Sequence, residues 1–310
     1  MTLEPLFQIH NAQIYKNSRH KDRLEITPWI RTAIADEEQR PTTQLWKQEP
    51  SAEFQYKRRL KLIRFCRKHG KDDLRINAIA DQLELCEQYT RCCSGACPEC
   101  GRLIQRWFVR KSKRIIRDVI DKADYQLVAI TIIPAKPIIR LGELHGFNID
   151  NALRRLRYAL DKAGIAIAIG GVDFSYNEDR DGNYKPFWCP HYYIIAAVKD
   201  RKRIRRLIKE IFQPDRRIPR PVKISTFNNS SRRRSYAYKT TFVRRVGIDT
   251  DKINKDGTTR SCRDTSTQRL RAAERLELFT YLDRVGFAGR FIFRSIKPNP
   301  GSMKVTIQKI

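Results

Sequence analysis

Five cysteines fall within fifteen positions, Cys86, Cys92, Cys93, Cys97 and Cys100, and no other feature of the chain restricts its folding as much. Four of them around one tetrahedral metal ion would force this stretch to wrap about a point. Cys97-Pro98-Glu99-Cys100-Gly101 reads as a knuckle, in which thiolates separated by two residues let backbone amides turn toward both sulfurs. Cys92 extends the pattern to C-x4-C-x2-C, and either Cys86 or Cys93 can close a four-sulfur site. The pattern implies structural Zn²⁺, because four thiolates leave no coordination position open for chemistry. Reduced thiols buried in a core are the alternative. The chain begins Met1-Thr2-Leu3-Glu4-Pro5 without a basic-then-apolar leader, and no apolar run approaches the ~18 residues of a membrane span. A cytoplasmic protein without a membrane partner is therefore expected, in which eight cysteines serve ligation or burial rather than disulfides.

Charge decides the class of partner. With 63 Lys and Arg against 34 Asp and Glu, the formal net charge is +29. Self-repulsion of that size disfavours a compact chain unless a polyanion is the usual partner, and each neutralised phosphate adds salt-dependent affinity. Nucleic acid is the expected partner, either DNA or RNA on this ground alone.

The pattern of apolar residues divides the chain into four parts. Residues 1–85 read as an N-terminal extension with a short helix at Thr27–Glu37, then two helices carrying Leu60, Ile63, Cys66 and Ile76, Ile79, Leu83, Leu85. That helix pair suits either a packing hairpin or a helix-turn-helix reader of DNA, the former being commoner. Residues 86–123 hold the knuckle and a basic helix over Arg102–Ala123. Residues 124–246 alternate strand (Tyr125–Ile133), helix (150–163), two strands (Ile165–Tyr176, Phe187–Val198), helix (Arg201–Phe212) and strand (Pro221–Phe227). That order is the ferredoxin-like split β-α-β arrangement, so the fold class is α+β with an antiparallel sheet. Residues 247–310 read as a polar linker (247–268), a helix (Gln268–Val285) and a hairpin of Arg290–Ile296 with Lys304–Lys309.

The chemistry gathers where the two central strands meet. Asp181-Gly182 is a hairpin signal, and folding about Gly182 sets Asp173 opposite His191. Alternation then puts Cys189, His191, Tyr193 and Ile195 on one face, with Asp173 and Ser175 on the matching face. A carboxylate and an imidazole on one sheet surface suit Mn²⁺ or Mg²⁺, although two ligands make a weak site and a lone strand histidine is more often a core residue. Between Arg201 and Arg245 there are sixteen Lys and Arg and two acids, Glu210 and Asp215. Arg232, Arg233, Arg234, Arg244 and Arg245 bracket a segment with Tyr236, Tyr238 and Lys239, and aromatics nearby (Phe187, Trp188, Tyr192, Phe227, Phe242) offer faces for unstacked bases.

The series Ile130-Thr131-Ile132-Ile133-Pro134, Gly171-Val172-Asp173-Phe174-Ser175-Tyr176-Asn177, Trp188-Cys189-Pro190-His191-Tyr192-Tyr193-Ile194-Ile195 and Tyr236-Ala237-Tyr238-Lys239 resembles plasmid and phage rolling-circle replication initiators of the HUH endonuclease superfamily. The resemblance spans roughly residues 86–245, the cysteine knuckle included. It implies a nuclease core that nicks and rejoins single-stranded or cruciform DNA at a replication origin, with divalent metal assistance and a 5′-phosphotyrosine intermediate. By the same resemblance Asp173 takes the place of the acidic metal ligand, and His191 that of the first histidine of the strand motif. Tyr193 stands where a second histidine is usual, and a neutral phenol is a poor ligand. Tyr236 and Lys239 match the Tyr-x-x-Lys motif, with Tyr236 as nucleophile and Lys239 as its neighbouring charge. Arg232 occupies a position where some members of that family carry a glutamate that activates water, so the resemblance does not extend to that terminating step. No Gly-x-x-x-x-Gly-Lys-Ser/Thr loop occurs in the sequence, so a host helicase and polymerase are the expected partners. The competing readings are a non-catalytic nucleic-acid-binding protein, a zinc-ribbon RNA binder, and a transposase or relaxase on the same core.

Overall fold

The structure is a computed structural model that describes residues 21–71, 73–120, 125–254, 256–299 and 302–305. The expected extension at 1–20, the last turn of the basic helix at 121–123 and the outer part of the C-terminal strand at 306–309 lie outside the described residues. Three helices come first, α1 (Lys21–Glu38), α2 (Ala52–Gly70) and α3 (Leu74–Glu84), before the longer α4 (Pro98–Ile120). The middle of the chain runs β1 (Gln126–Ile132), α5 (Ile149–Lys162), β2 (Ile167–Asp179), β3 (Phe187–Val198), α6 (Arg201–Ile211) and β4 (Val222–Thr226). Then come α7 (Ser231–Ala237), β5 (Val243–Ile253), β6 (Thr259–Gln268), α8 (Ala272–Val285), β7 (Phe291–Arg294), β8 (Ile296–Asn299) and β9 (Ser302–Val305).

The architecture is α+β, with a mixed seven-stranded sheet in the order β4-β1-β3-β2-β5-β6. The pairs β4–β1, β1–β3 and β3–β2 are antiparallel. The far edge of β2 is shared: its C-terminal half pairs in parallel with β5 and its N-terminal half antiparallel with β7. Helix starts follow side-chain capping. Ser51 caps α2 through Phe54 N, Asn148 caps α5 through Asn151 N, and Asp200 caps α6 through Lys202 N and Arg203 N.

Alternation along β2 and β3 sorts the core into two layers. Ala168, Val172, Phe174, Tyr192, Ile194 and Ala196 face one way, against Leu153, Leu156 and Leu160 of α5 and Ile204 and Ile208 of α6. Ile167, Ile169, Tyr193, Ile195 and Ala197 face the other way, against a layer that contains Ile104, Trp107 and Phe108 of α4. Each such fully buried aliphatic or aromatic side chain stabilises the fold by roughly 1.5–3 kcal/mol, so α4 is a core helix rather than an appendage. No described helix is long and apolar enough to cross a membrane.

Three expectations need correction. Residues 247–268 are not a linker: β5 and β6 form a long antiparallel ladder from Arg244↔Gln268 to Ile253↔Thr259, turning at Asp256-Gly257. Its polar composition hid it, because both faces of its outer part are exposed and no apolar alternation marks a buried side. The C-terminal hairpin is arranged differently, since β7 joins the main sheet beside β2 and the small hairpin is β8–β9. Leu85, expected on the buried stripe of α3, lies past its end and is exposed.

Candidate functional site

The expected hairpin register is the one formed, with Asp173 paired to His191 and Ser175 to Cys189. The turn is closed by Asp179, whose Oδ1 accepts from Asp181 N at 2.9 Å, and Gly182 supplies the left-handed step at φ +72°. On the surface facing α4, Asp173, His191 and Tyr193 therefore stand side by side, buried to within a few per cent. The short α7 lies over them. Its approach depends on Gly171, where an added Cβ would stand 2.7 Å from the Tyr238 ring and 2.9 Å from Ala237 O.

That seating separates the two tyrosines of the segment. Tyr238 is fully buried, donates its hydroxyl to Phe287 O at 2.9 Å and stacks on Phe291 with ring centroids 4.0 Å apart. It anchors the helix end, with its hydroxyl inside the core. Tyr236 is half exposed (49%) and turns toward the sheet, its hydroxyl 3.4 Å from that of Tyr193. Lys239 completes the group. Its Nζ donates to Asp173 Oδ2 and to Tyr193 Oη, each at 3.2 Å, and lies 3.8 Å from the Tyr236 ring centroid.

Electrostatics in this group are specific. Burial alone would raise the Tyr236 phenol, but the Tyr193 hydrogen bond and the Lys239 and Arg245 cations outweigh it and hold the group below its ordinary value. Tyr193 goes the other way, raised by burial and by the Asp173 charge, so it stays a hydroxyl donor. His191 is held well below its ordinary value by burial and by the Arg245 and Lys239 cations, so its imidazole is neutral.

The donors present do not fit a divalent ion. His191 uses both ring nitrogens, Nε2 with Ser175 Oγ at 3.0 Å and Nδ1 with Tyr193 Oη at 3.2 Å. Ser175 gives its own proton to Asn177 Oδ1 at 2.9 Å. Asp173 accepts Phe174 N on Oδ1 at 2.8 Å and the Lys239 ammonium on Oδ2. Among the described residues, the one group of three or more metal-type side chains that converges is the cysteine cluster.

There the fit is good. Cys86, Cys92, Cys97 and Cys100 bring their sulfurs within 4.8 Å of one another. Cys86 to Cys97 is 3.7 Å, Cys86 to Cys100 is 3.6 Å and Cys92 to Cys100 is 3.7 Å. A tetrahedron with metal–sulfur bonds of about 2.3 Å has edges of about 3.8 Å, so this quartet could hold a metal such as zinc. Hydrogen bonds from Cys100, Cys92 and Cys97 pull the Cys86 thiol far down, while burial drives Cys97 up. Four thiols this close cannot all ionise without a cation between them. Cys93 is outside the quartet: its backbone is left-handed (φ +55°), and its thiol points to Arg91 O and is pushed up to about 11 by burial. Glu99, inside the knuckle, ties the cluster to the helices by accepting from Arg59 Nε at 2.7 Å and Arg91 Nη1 at 2.5 Å.

The five arginines expected on DNA do different things. Arg232 and Arg233 are exposed on α7. Arg234 is buried and spent inside, donating to Val109 O, Asn229 Oδ1 and Ser231 Oγ, because α7 presses that side against α4. Arg244 pairs with Glu178 at 3.3 Å and donates to Gln268. Arg245, half buried and in register with Asn177, has no hydrogen-bond or ion-pair partner among the described residues.

Two participants were not legible in sequence. Asn177 orients Ser175, and Arg290 in the C-terminal part is fully buried, donating from Nε to Val172 O at 3.0 Å and also to Lys239 O. It thereby pins the Lys239 backbone to the strand that carries Asp173. No signal short of the packed structure marks Arg290. No family model, curated protein or solved structure matches this chain.

Proposed function

We propose that this chain is a rolling-circle replication initiator that nicks and rejoins single-stranded DNA through Tyr236. The observation that carries the reading is half-exposed Tyr236, its hydroxyl set against Tyr193 and its ring under the Lys239 ammonium, in a chain of net charge +29. A phenol is a weak nucleophile at its ordinary pKa of about 10, and a neighbouring positive field makes its phenolate accessible near neutrality. Tyr236 Oη attacks the scissile phosphorus, and the bond from phosphorus to the 3′ oxygen breaks. The electron pair leaves on that oxygen, which takes a proton from water, while the phenol proton passes to solvent at the exposed edge of the ring. The products are a 5′-phosphotyrosine and a free 3′-OH, and reversal rejoins the strand.

The order β1-α5-β2-β3-α6-β4, with sheet order β4-β1-β3-β2, supports a ferredoxin-like reading of the core. The cysteine quartet supports structural Zn²⁺ at the foot of α4. A host helicase would supply unwinding and a host polymerase the extension of the 3′ end.

The test is covalent capture on circular single-stranded DNA carrying the replicon's own origin. Wild-type protein and Tyr238→Phe are expected to form an adduct that survives denaturing gels, and Tyr236→Phe none. Origin binding by wild type without any adduct would leave only a binding module.

A further inference from the structure

Resting on that nicking reading, we propose that the resident cation of this site is the Lys239 ammonium rather than a divalent ion, and that the Arg245 guanidinium receives the scissile phosphate beside it. The site has the shape of an ammonium cage. Lys239 Nζ touches a carboxylate oxygen and a phenol oxygen at 3.2 Å each, and lies over two aromatic faces, at 4.3 Å from the Tyr193 centroid and 3.8 Å from that of Tyr236. A Mg²⁺ or Mn²⁺ ion on Asp173 would sit about 2.1 Å from the same oxygen that the ammonium holds, and two such charges repel. It would also have to displace one of the two hydrogen bonds that occupy the His191 ring nitrogens and accept a neutral phenol as its third ligand.

The remaining charge comes from Arg245. In the parallel β2–β5 register Arg245 stands beside Asn177, on the sheet face that carries Ser175 and Asp173, and its guanidinium has no partner among the described residues; its charge bears on His191, Tyr193 and Tyr236 together. A planar fork suits two non-bridging phosphate oxygens, whereas an ammonium suits a single developing oxyanion. Two single positive charges beside the reacting phosphorus equal the formal charge a divalent ion would bring. The bond changes are those given above, and they need no co-reactant beyond water.

The experiment uses full-length zinc-loaded protein passed over chelating resin, with metal content verified by elemental analysis. Mn²⁺ is then titrated in, with free ion followed by electron paramagnetic resonance, and origin nicking is measured with and without Mn²⁺ or Mg²⁺. The expected result is no stoichiometric Mn²⁺ binding beyond the zinc site. Adduct should form in metal-free buffer at a rate within about twofold of that with metal, and Arg245→Met should slow it about 100-fold, the scale of losing one donor to a developing charge. Stoichiometric Mn²⁺ binding lost in both Asp173→Ala and His191→Ala would overturn the inference, as would an adduct seen only after metal is added; both leave the nicking reading intact. No adduct in either buffer would overturn the nicking reading and this inference with it.

Discussion

Lys239 lies within reach of Asp173, Tyr193 and the Tyr236 ring at once, so one side chain sets the charge balance of the site. Its removal has a signed consequence. Burial raises the Tyr236 phenol, and Tyr193, Lys239 and Arg245 lower it to a net value below the ordinary one. If Tyr236 is the nucleophile, as proposed, the phenolate fraction and with it the nicking rate should rise as pH climbs through that value. Lys239→Met removes one lowering influence, so the ascending limb of the pH–rate profile should move to higher pH, and Lys239→Arg should move it back. Single-turnover adduct formation from neutral to alkaline pH measures this. The cysteines differ just as sharply residue by residue. Cys93→Ser should keep one bound metal per chain, because its thiol faces Arg91 O. Cys92→Ser should lose the metal and lower thermal stability by several kcal/mol, since binding of a structural metal is folding energy. Elemental analysis and a melting curve separate the two.

At the scale of elements, α7 is the part that must be placed accurately, and it is only seven residues long. Such a helix has little stability of its own. It is held by Tyr238 in the core, by Arg234 against α4 and by the close approach at Gly171. Gly171→Ala would drive a methyl group into the Tyr238 ring and Ala237 O. We expect it to cost about 1–3 kcal/mol of stability, the usual scale of overpacking, and to depress adduct formation further by lifting Tyr236 off the site. Adduct yield against denaturation midpoint tests whether both fall. The β5–β6 ladder shows why element reading failed where it did. Thr, Asp, Lys and Arg fill its exposed outer strands, so the hydrophobic alternation that revealed β2 and β3 is missing. The Asp256-Gly257 step was the available signal, of the same kind as Asp181-Gly182.

Over the whole molecule, the 63 Lys and Arg overstate the cations available to phosphate. Arg106 is buried between Glu37 and Glu49, Arg102 pairs with Glu49, and Arg59 and Arg91 with Glu99. Arg234 and Arg290 are likewise internal. Cations left in solvent include those on α7, on the outward faces of α5 (Arg154, Arg157) and on those of α6 (Arg203, Arg205, Arg206). Salt dependence distinguishes the two classes. Arg232→Ala or Arg245→Ala should reduce the slope of log affinity against log salt by about 0.7 for single-stranded DNA, the value of one phosphate contact. Arg234→Ala should leave that slope unchanged and lower the melting temperature instead.

What the sequence determined by itself is whatever periodicity and local chemistry encode. Gly182 and strict alternation place Asp173 opposite His191, and cysteine spacing puts a metal-type cluster at the start of α4. Those relations need only the pleat of a strand, the handedness of a turn and the reach of a short loop. The tertiary structure alone decided that Cys86 rather than Cys93 joins the quartet, that Arg234 faces inward while Arg245 stands beside Asn177, and that Arg290 pins Lys239. Each of those outcomes depends on which distant surfaces are pressed together, such as α7 against α4 and the C-terminal segment against β2. Contacts between elements far apart in the chain leave no periodic trace in it, and they fixed the cation that stands on Asp173.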